Sequence, residues 1–295
     1  MAKDVTKAKT TDVAELDEEF ERELQADAGK GVSTEADDNL VPLIYVLQPL
    51  SPQVQQGPAY IQGASAGDIW LKNASDPIVK GSEGIWYMPC AMYLRWTEWI
   101  PRDKGGGFVA SYEYFGRNNP PPGASRDESE KGRPRFRFAT GNECVETRYE
   151  AGYVWRDGQP MPYVIPFKST GHTVARGWMT RRGSLRRKDG TIWPSWSHIY
   201  RLTTTTKRNN LGLWYIFNVG DPVLYIPGHG KPYEEGLKIV GGDYKAAYKL
   251  GKQLEEAFDK GVKREAAEEM DADIDGDEGG IDDRAGTKQD DEIPF

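Results

Sequence analysis

The 295-residue sequence predicts a mainly β domain closed by one C-terminal helix and flanked by two acidic tails, on three observations. Short runs of β-branched and aromatic residues, punctuated by Gly, Pro and Asn, begin at Leu40. After Gly242 the apolar period changes from two to 3.6. Beyond Met270 the sole aromatic residue is Phe295, too little to build a core. The expected organisation is an acidic arm over 1–39, a folded domain over 40–264 and a disordered acidic tail over 265–295.

In the arm, Asp12 can cap a short helix with Glu15 three residues later, and Val13, Leu16, Phe20 and Leu24 make one narrow apolar stripe. Ala26 to Asn39 is small and polar, a linker. Strands are expected over Asp68–Leu71, Ile85–Trp99, Phe108–Phe115, Arg135–Ala139, Val145–Trp155 and Tyr163–Lys168, with a long exposed loop over Asn118–Gly132. Ser195–Thr206 alternates, with Trp196, His198, Tyr200 and Leu202 on one face; Lys207–Asn210 reads as the turn and Leu211–Val219 as the returning strand. The closing helix places Tyr244, Ala247, Tyr248, Leu254, Ala257, Phe258 and Val262 on one side, with Asp243 as its cap.

Charge is segregated. Residues 1–39 carry 5 basic and 12 acidic side chains, residues 265–295 carry 2 and 13, and residues 40–264 carry 31 and 21. A basic body with acidic arms points to a polyanionic ligand. Cys90 and Cys144 have no neighbouring Cys or His at metal-ligand spacing, so two reduced core thiols are expected. No apolar run is long enough to cross a bilayer and the N-terminus is acidic, so the expected location is the cytoplasm.

The densest signal lies between 165 and 217, where ten basic side chains face one acid, Asp189, and are interleaved with rings. That mixture suits an unpaired strand: exposed bases stack on rings for roughly 1–3 kcal/mol each while cations meet phosphates. The expected single-stranded-DNA contacts are Trp178, Arg181, Arg182, Arg186, Arg187, Lys188, Trp193, Trp196, Arg201, Lys207 and Trp214. Against this, the rings can fill a core and the arginines can be solvated surface. Five cations between Arg181 and Lys188 resist that explanation, since they repel unless an anion is near. The run Arg181-Arg182-Gly183-Ser184-Leu185 also fits a basophilic kinase site. Thinner versions of the mixture occur at Arg95, Trp96, Trp99, Arg102 and Lys104, and at Arg135-Phe136-Arg137.

The sequence ends Asp290-Asp291-Glu292-Ile293-Pro294-Phe295. Acids followed by Ile-Pro-Phe resemble the tip of bacterial single-stranded-DNA-binding proteins, with Glu292 where that family usually has a third Asp. The resemblance implies that a polymerase, helicase, primase or nuclease of replication and repair docks on this tip, its pocket taking the Phe295 side chain and its basic rim the carboxylates. The body, around Val164-Ile165-Pro166-Phe167-Lys168-Ser169-Thr170 and the basic stretch after it, looks like phage-encoded single-stranded-DNA-binding proteins. That second resemblance implies an OB-fold-like barrel with insertions, acting in DNA replication, recombination and repair in a bacterial host cytoplasm.

Other chemistry is weaker. Asp271, Asp273, Asp275, Gly276 and Asp282 sit at EF-hand positions, but Glu278 replaces the apolar eighth residue and no helix follows. Phosphate-cradling, dinucleotide, His-Glu-x-x-His and serine-elbow motifs are missing, and His172, His198 and His229 are dispersed. No enzyme, cofactor or metal is therefore expected. The alternatives are a strand-annealing recombination protein and a metal-dependent nuclease using carboxylates such as Glu143, Glu146 and Glu150.

Overall fold

The computed structural model describes residues 41–101, 104–127, 135–209, 212–228 and 232–259. The chain divides into two units, Met1–Asn39 and Leu40–Phe295, and every described residue lies in the second. The arm helix, the acidic tail with its EF-hand-like run and the Asp290–Phe295 tip fall outside the described residues.

The protein is mainly β, a curled half-barrel sheet with a C-terminal helix. Its strands are β1 (Ile44–Val46), β2 (Ile69–Leu71), β3 (Ile78–Val79), β4 (Ile85–Trp99), β5 (Phe108–Glu113), β6 (Ala124–Arg126), β7 (Phe136–Phe138), β8 (Glu143–Arg156), β9 (Gln159–Phe167), β10 (His198–Asn209) and β11 (Gly212–Leu224). The α-helices among the described residues are α1 (Gly171–Ser184), between β9 and β10, and α2 (Glu234–Ile239) and α3 (Tyr244–Asp259), after β11.

The spine is the antiparallel pair β4–β8, which runs from Trp86↔Trp155 to Trp99↔Glu143 with a register shift between Pro89 and Ala91. A bulge at that point adds twist and curls the sheet. The sheet continues in the order β11-β10-β4-β8-β7-β6, while β5 and β9 join β4 and β8 respectively. Its terminal strands do not meet, so the barrel stays half open. Strands β1, β2 and β3 form a separate small sheet. Turn chemistry fixes β8–β9: Asp157 and Gly158 have φ of 49° and 74° between the paired Arg156 and Gln159, the geometry of a type I′ hairpin.

Both faces of the sheet are covered. On one, Tyr87, Tyr200 and Leu202 meet Ala175 and Trp178 of α1. On the other, Met88, Cys90 and Ile199 meet Ala247 and Leu254 of α3. His198, Ile199, Tyr200 and Leu202 are therefore all buried, although the sequence there alternates as if one face were wet. Asp243 caps α3 as expected, its Oδ1 accepting from the backbone N–H groups of Lys245 and Ala246 at 3.0 Å each. Gly251 lets α3 approach the chain closely, because a Cβ there would stand 2.5 Å from Cβ of Trp196.

Three expectations are corrected. Ser195–Ser197 is a 3-10 turn rather than the start of β10, and Lys207 lies inside that strand opposite Trp214 rather than in the turn. The exposed loop expected over Asn118–Gly132 contains the short strand β6. The basic stretch also holds a helix, α1, that strand-like texture concealed. Its buried residues Ala175, Trp178 and Arg182 recur at helical spacing, but the third is an arginine, so no apolar stripe announces it.

Candidate nucleic-acid interface

The expected contact residues separate into four places. Trp178 is 2% exposed and packs edge-on against Tyr200 at 5.3 Å, which leaves no face for a base. Arg182 lies over the same indole, 4.9 Å from its ring centre. It donates through Nη1 and Nη2 to Glu150 Oε1 and Oε2 at 2.6 and 2.7 Å, a bidentate pair inside the domain. Burial pushes the Glu150 carboxyl above the usual carboxylate range, against the pull of Arg182. Both side chains are therefore structural, and assigning them to DNA is corrected: taking Arg182 away would strand a buried carboxylate.

Arg181 and Arg201 remain partly exposed but are anchored. Arg181 Nη1 donates to the carbonyls of Val219 and Gly220 at 3.2 and 2.7 Å, tying α1 to β11. Arg201 Nε donates to the Glu83 carbonyl at 2.6 Å, and its guanidinium lies 5.1 Å from the Trp86 ring centre.

Lys207 and Trp214 face each other across the outer end of β10–β11. Trp214 lines a cavity of about 370 Å³ with Leu50, Pro166 and Lys168, and its buried Nε1 has no hydrogen-bond partner among the described residues. The exposed leucines Leu50 and Leu213 stand at this cavity.

The fourth place gathers Arg186, Arg187, Lys188, Trp193 and Trp196. After α1 the chain folds into a small hairpin, with Arg186 bridged to Ile192 and the Arg187 N–H donating to the Thr191 carbonyl at 2.8 Å. Arg186, Arg187 and Lys188 are all exposed on it. The single acid, Asp189, accepts from Thr191 N and Oγ1 at 3.0 and 2.6 Å, and these hydrogen bonds hold its carboxyl below the usual range. Trp193 closes the hairpin through its N–H to the Leu185 carbonyl at 3.1 Å. Its ring lies 5.7 Å from the Arg187 guanidinium and edge-on to His198 at 5.6 Å.

Trp193 and Arg187 open onto a cleft of about 330 Å³ whose opposite wall is Tyr244, Lys245 and Tyr248 of α3. Tyr248 in turn packs edge-on against Trp196 at 5.9 Å. The two tyrosines were expected as core-facing residues of the helix, and both are partly buried. The signal that marks them is the repeated Tyr-Lys pair at 244–245 and 248–249, which sets cations beside rings one turn apart.

The carboxylates considered for a nuclease are dispersed. Glu150 is held by Arg182, Glu143 lies 3.6 Å from Arg137, and Glu146 lies near Arg117 and His172 at 3.9 and 4.0 Å. Upstream, Trp96, Trp99 and Phe136 are buried, and Arg137 pairs with Asp127 at 2.8 Å. Cys90 and Cys144 are free and buried. Among the described residues no helix is long and apolar enough to cross a membrane.

No curated protein and no solved structure matches the chain. The family described as Pam3 phage gp34-like protein matches residues 10–263, which takes in all of the fold and the interface described above. The chain belongs to this family of phage proteins.

Proposed function

We propose that the protein binds single-stranded DNA through the Arg186–Lys188 hairpin and the ring-lined cleft beside it. The observation that carries the reading is a hairpin with three exposed cations, one of which, Arg187, lines a cleft with Trp193 and the tyrosines of α3. Cations of that kind suit phosphates, and rings at their side suit unstacked bases, which a duplex would hide. The basic body between acidic ends adds long-range attraction for a polyanion. On this reading the protein protects and organises single strands during phage DNA replication, recombination or repair, and the tip Asp290–Phe295 recruits a replication or repair protein.

The test is tryptophan fluorescence of the full chain titrated with oligo-dT and with a duplex, across a salt series. Quenching by oligo-dT alone, with affinity falling steeply as salt rises, is the expected result; equal binding of duplex, or no salt dependence, would overturn it. Shortened DNA or duplex formed from complementary strands would instead identify a nuclease or an annealing protein. Deleting residues 271–295 should tighten binding at low salt, because the acidic tail competes with DNA for the same cations.

A further inference from the structure

Within that interface one feature is shaped for a smaller unit than a strand. The cleft has two walls, from parts of the chain fifty residues apart in sequence. One is the segment Arg187–Pro194 after α1, and the other is the first turn of α3. Ile226 adds an aliphatic side chain to the lining. Its volume of about 330 Å³ stands at the lower end of the roughly 300–1,000 Å³ range of small-molecule clefts, room for one nucleotide rather than several.

The chemistry is divided to match. Trp193, Tyr244 and Tyr248 bring three ring systems to the interior, and Tyr244 and Tyr248 stand four residues apart on one helix face. Arg187 and Lys245 put a cation on each wall. Of the neighbouring acids, Asp189 accepts from Thr191 and stands 3.8 Å from the Arg187 guanidinium, a contact open to solvent, and Asp243 is taken up by the amides of Lys245 and Ala246. Lys245 lies 6.0 Å from the Tyr244 ring centre, a loose contact from which it can turn to an incoming anion.

We propose that this cleft binds one nucleoside phosphate unit, the base among Trp193, Tyr244 and Tyr248 and the phosphate between Arg187 and Lys245. The unit belongs to a DNA strand in the reading above, on which this inference rests, but the same chemistry would accept a free nucleotide. The cleft thereby sets one base apart from the phosphates tracked by Arg186 and Lys188, giving the protein one ring-held position along a strand otherwise gripped through its backbone.

The experiment is calorimetric titration of the full chain with dTMP and dAMP, with thymidine and inorganic phosphate as the two halves of the ligand. Parallel titrations use oligo-dT. The variants are Lys245→Glu and Tyr244→Leu; the first changes an exposed side chain and the second keeps apolar bulk while removing the ring. The expected result is that the mononucleotides bind more tightly than either half. Each variant should weaken mononucleotide binding about tenfold or more, with oligo-dT affinity falling less, because the remaining contacts persist. Circular dichroism confirms that the variants are folded. Mononucleotide affinity unchanged in both variants would overturn the subsite. If wild type binds oligo-dT with steep salt dependence but no mononucleotide, the subsite fails and the strand-binding reading stands. If mononucleotides bind and oligo-dT does not, the cleft is a free-nucleotide site and the strand-binding reading fails.

Discussion

Two arginine–tryptophan pairs flank the end of α1, and they do opposite things. Arg182 lies 4.9 Å from the Trp178 ring and Arg187 lies 5.7 Å from the Trp193 ring, similar contacts five residues apart in the arginines. The first pair is inside, where Glu150 meets the guanidinium with two short hydrogen bonds. In the second only the arginine is exposed, Trp193 being buried at 8%, with Asp189 3.8 Å from the guanidinium and a cleft beside them. The difference teaches that a cation beside a ring is not in itself a binding feature. What decides is whether an internal carboxylate has already taken the charge.

The comparison breaks if the inner pair can be removed freely. Arg182→Met should cost about 3–5 kcal/mol in urea unfolding, since it leaves the Glu150 carboxyl buried without its partner, and adding Glu150→Leu should restore most of the loss. Oligo-dT affinity per folded molecule should stay unchanged. A cost below about 1 kcal/mol would mean the pair is not structural.

The outer group should behave in reverse. Arg186→Ala, Arg187→Ala and Lys188→Ala together should move stability by no more than about 0.5 kcal/mol. Oligo-dT binding should weaken about tenfold or more at low salt, and the slope of log affinity against log salt should become shallower by about 2, as three lost phosphate contacts require. An unchanged slope would place the phosphates elsewhere on the protein.

The cleft wall offers a sharper cut between fold and site. Gly251→Ala forces α3 away from Trp196, and overpacking of this kind costs about 1–3 kcal/mol while shifting Tyr248. Binding should fall with it; full affinity at reduced stability would detach the cleft from the interface.

The smallest effect concerns how α1 is held. His172 Nε2 stands 2.7 Å from the Glu146 carbonyl, and burial lowers the imidazole pKa below 6.5. In this range the unfolded chain takes up a proton that the folded one resists. The contribution of the neutral ring is therefore complete above about pH 6.5 and declines as acid is added below it. His172→Gln should flatten that decline in a pH series of thermal melts, and an unaltered profile would assign it to another group.

Much of the fold was legible because strand periodicity is local. Ile85–Trp99 was expected as one strand and is one, and α3 begins after the expected cap. The helix α1 was hidden because its buried face ends in Arg182, a charged residue that is buried through its pairing with Glu150 of β8. Of the expected contacts, Arg187 and Trp193 line a cleft whose other side, Tyr244 and Lys245, was read as a core helix, while Arg186 and Lys188 are exposed on the same hairpin.

The β character, the closing helix and its cap, and the concentration of charge between 165 and 217 are all legible along the chain, because each rests on residues close together in it. Which cations stand exposed depends instead on contacts between distant parts of the chain. Desolvation and pairing depend on what a distant strand or helix brings alongside, so Glu150 withdrew Arg182 to the interior while α3 gave Arg187 a facing wall of rings.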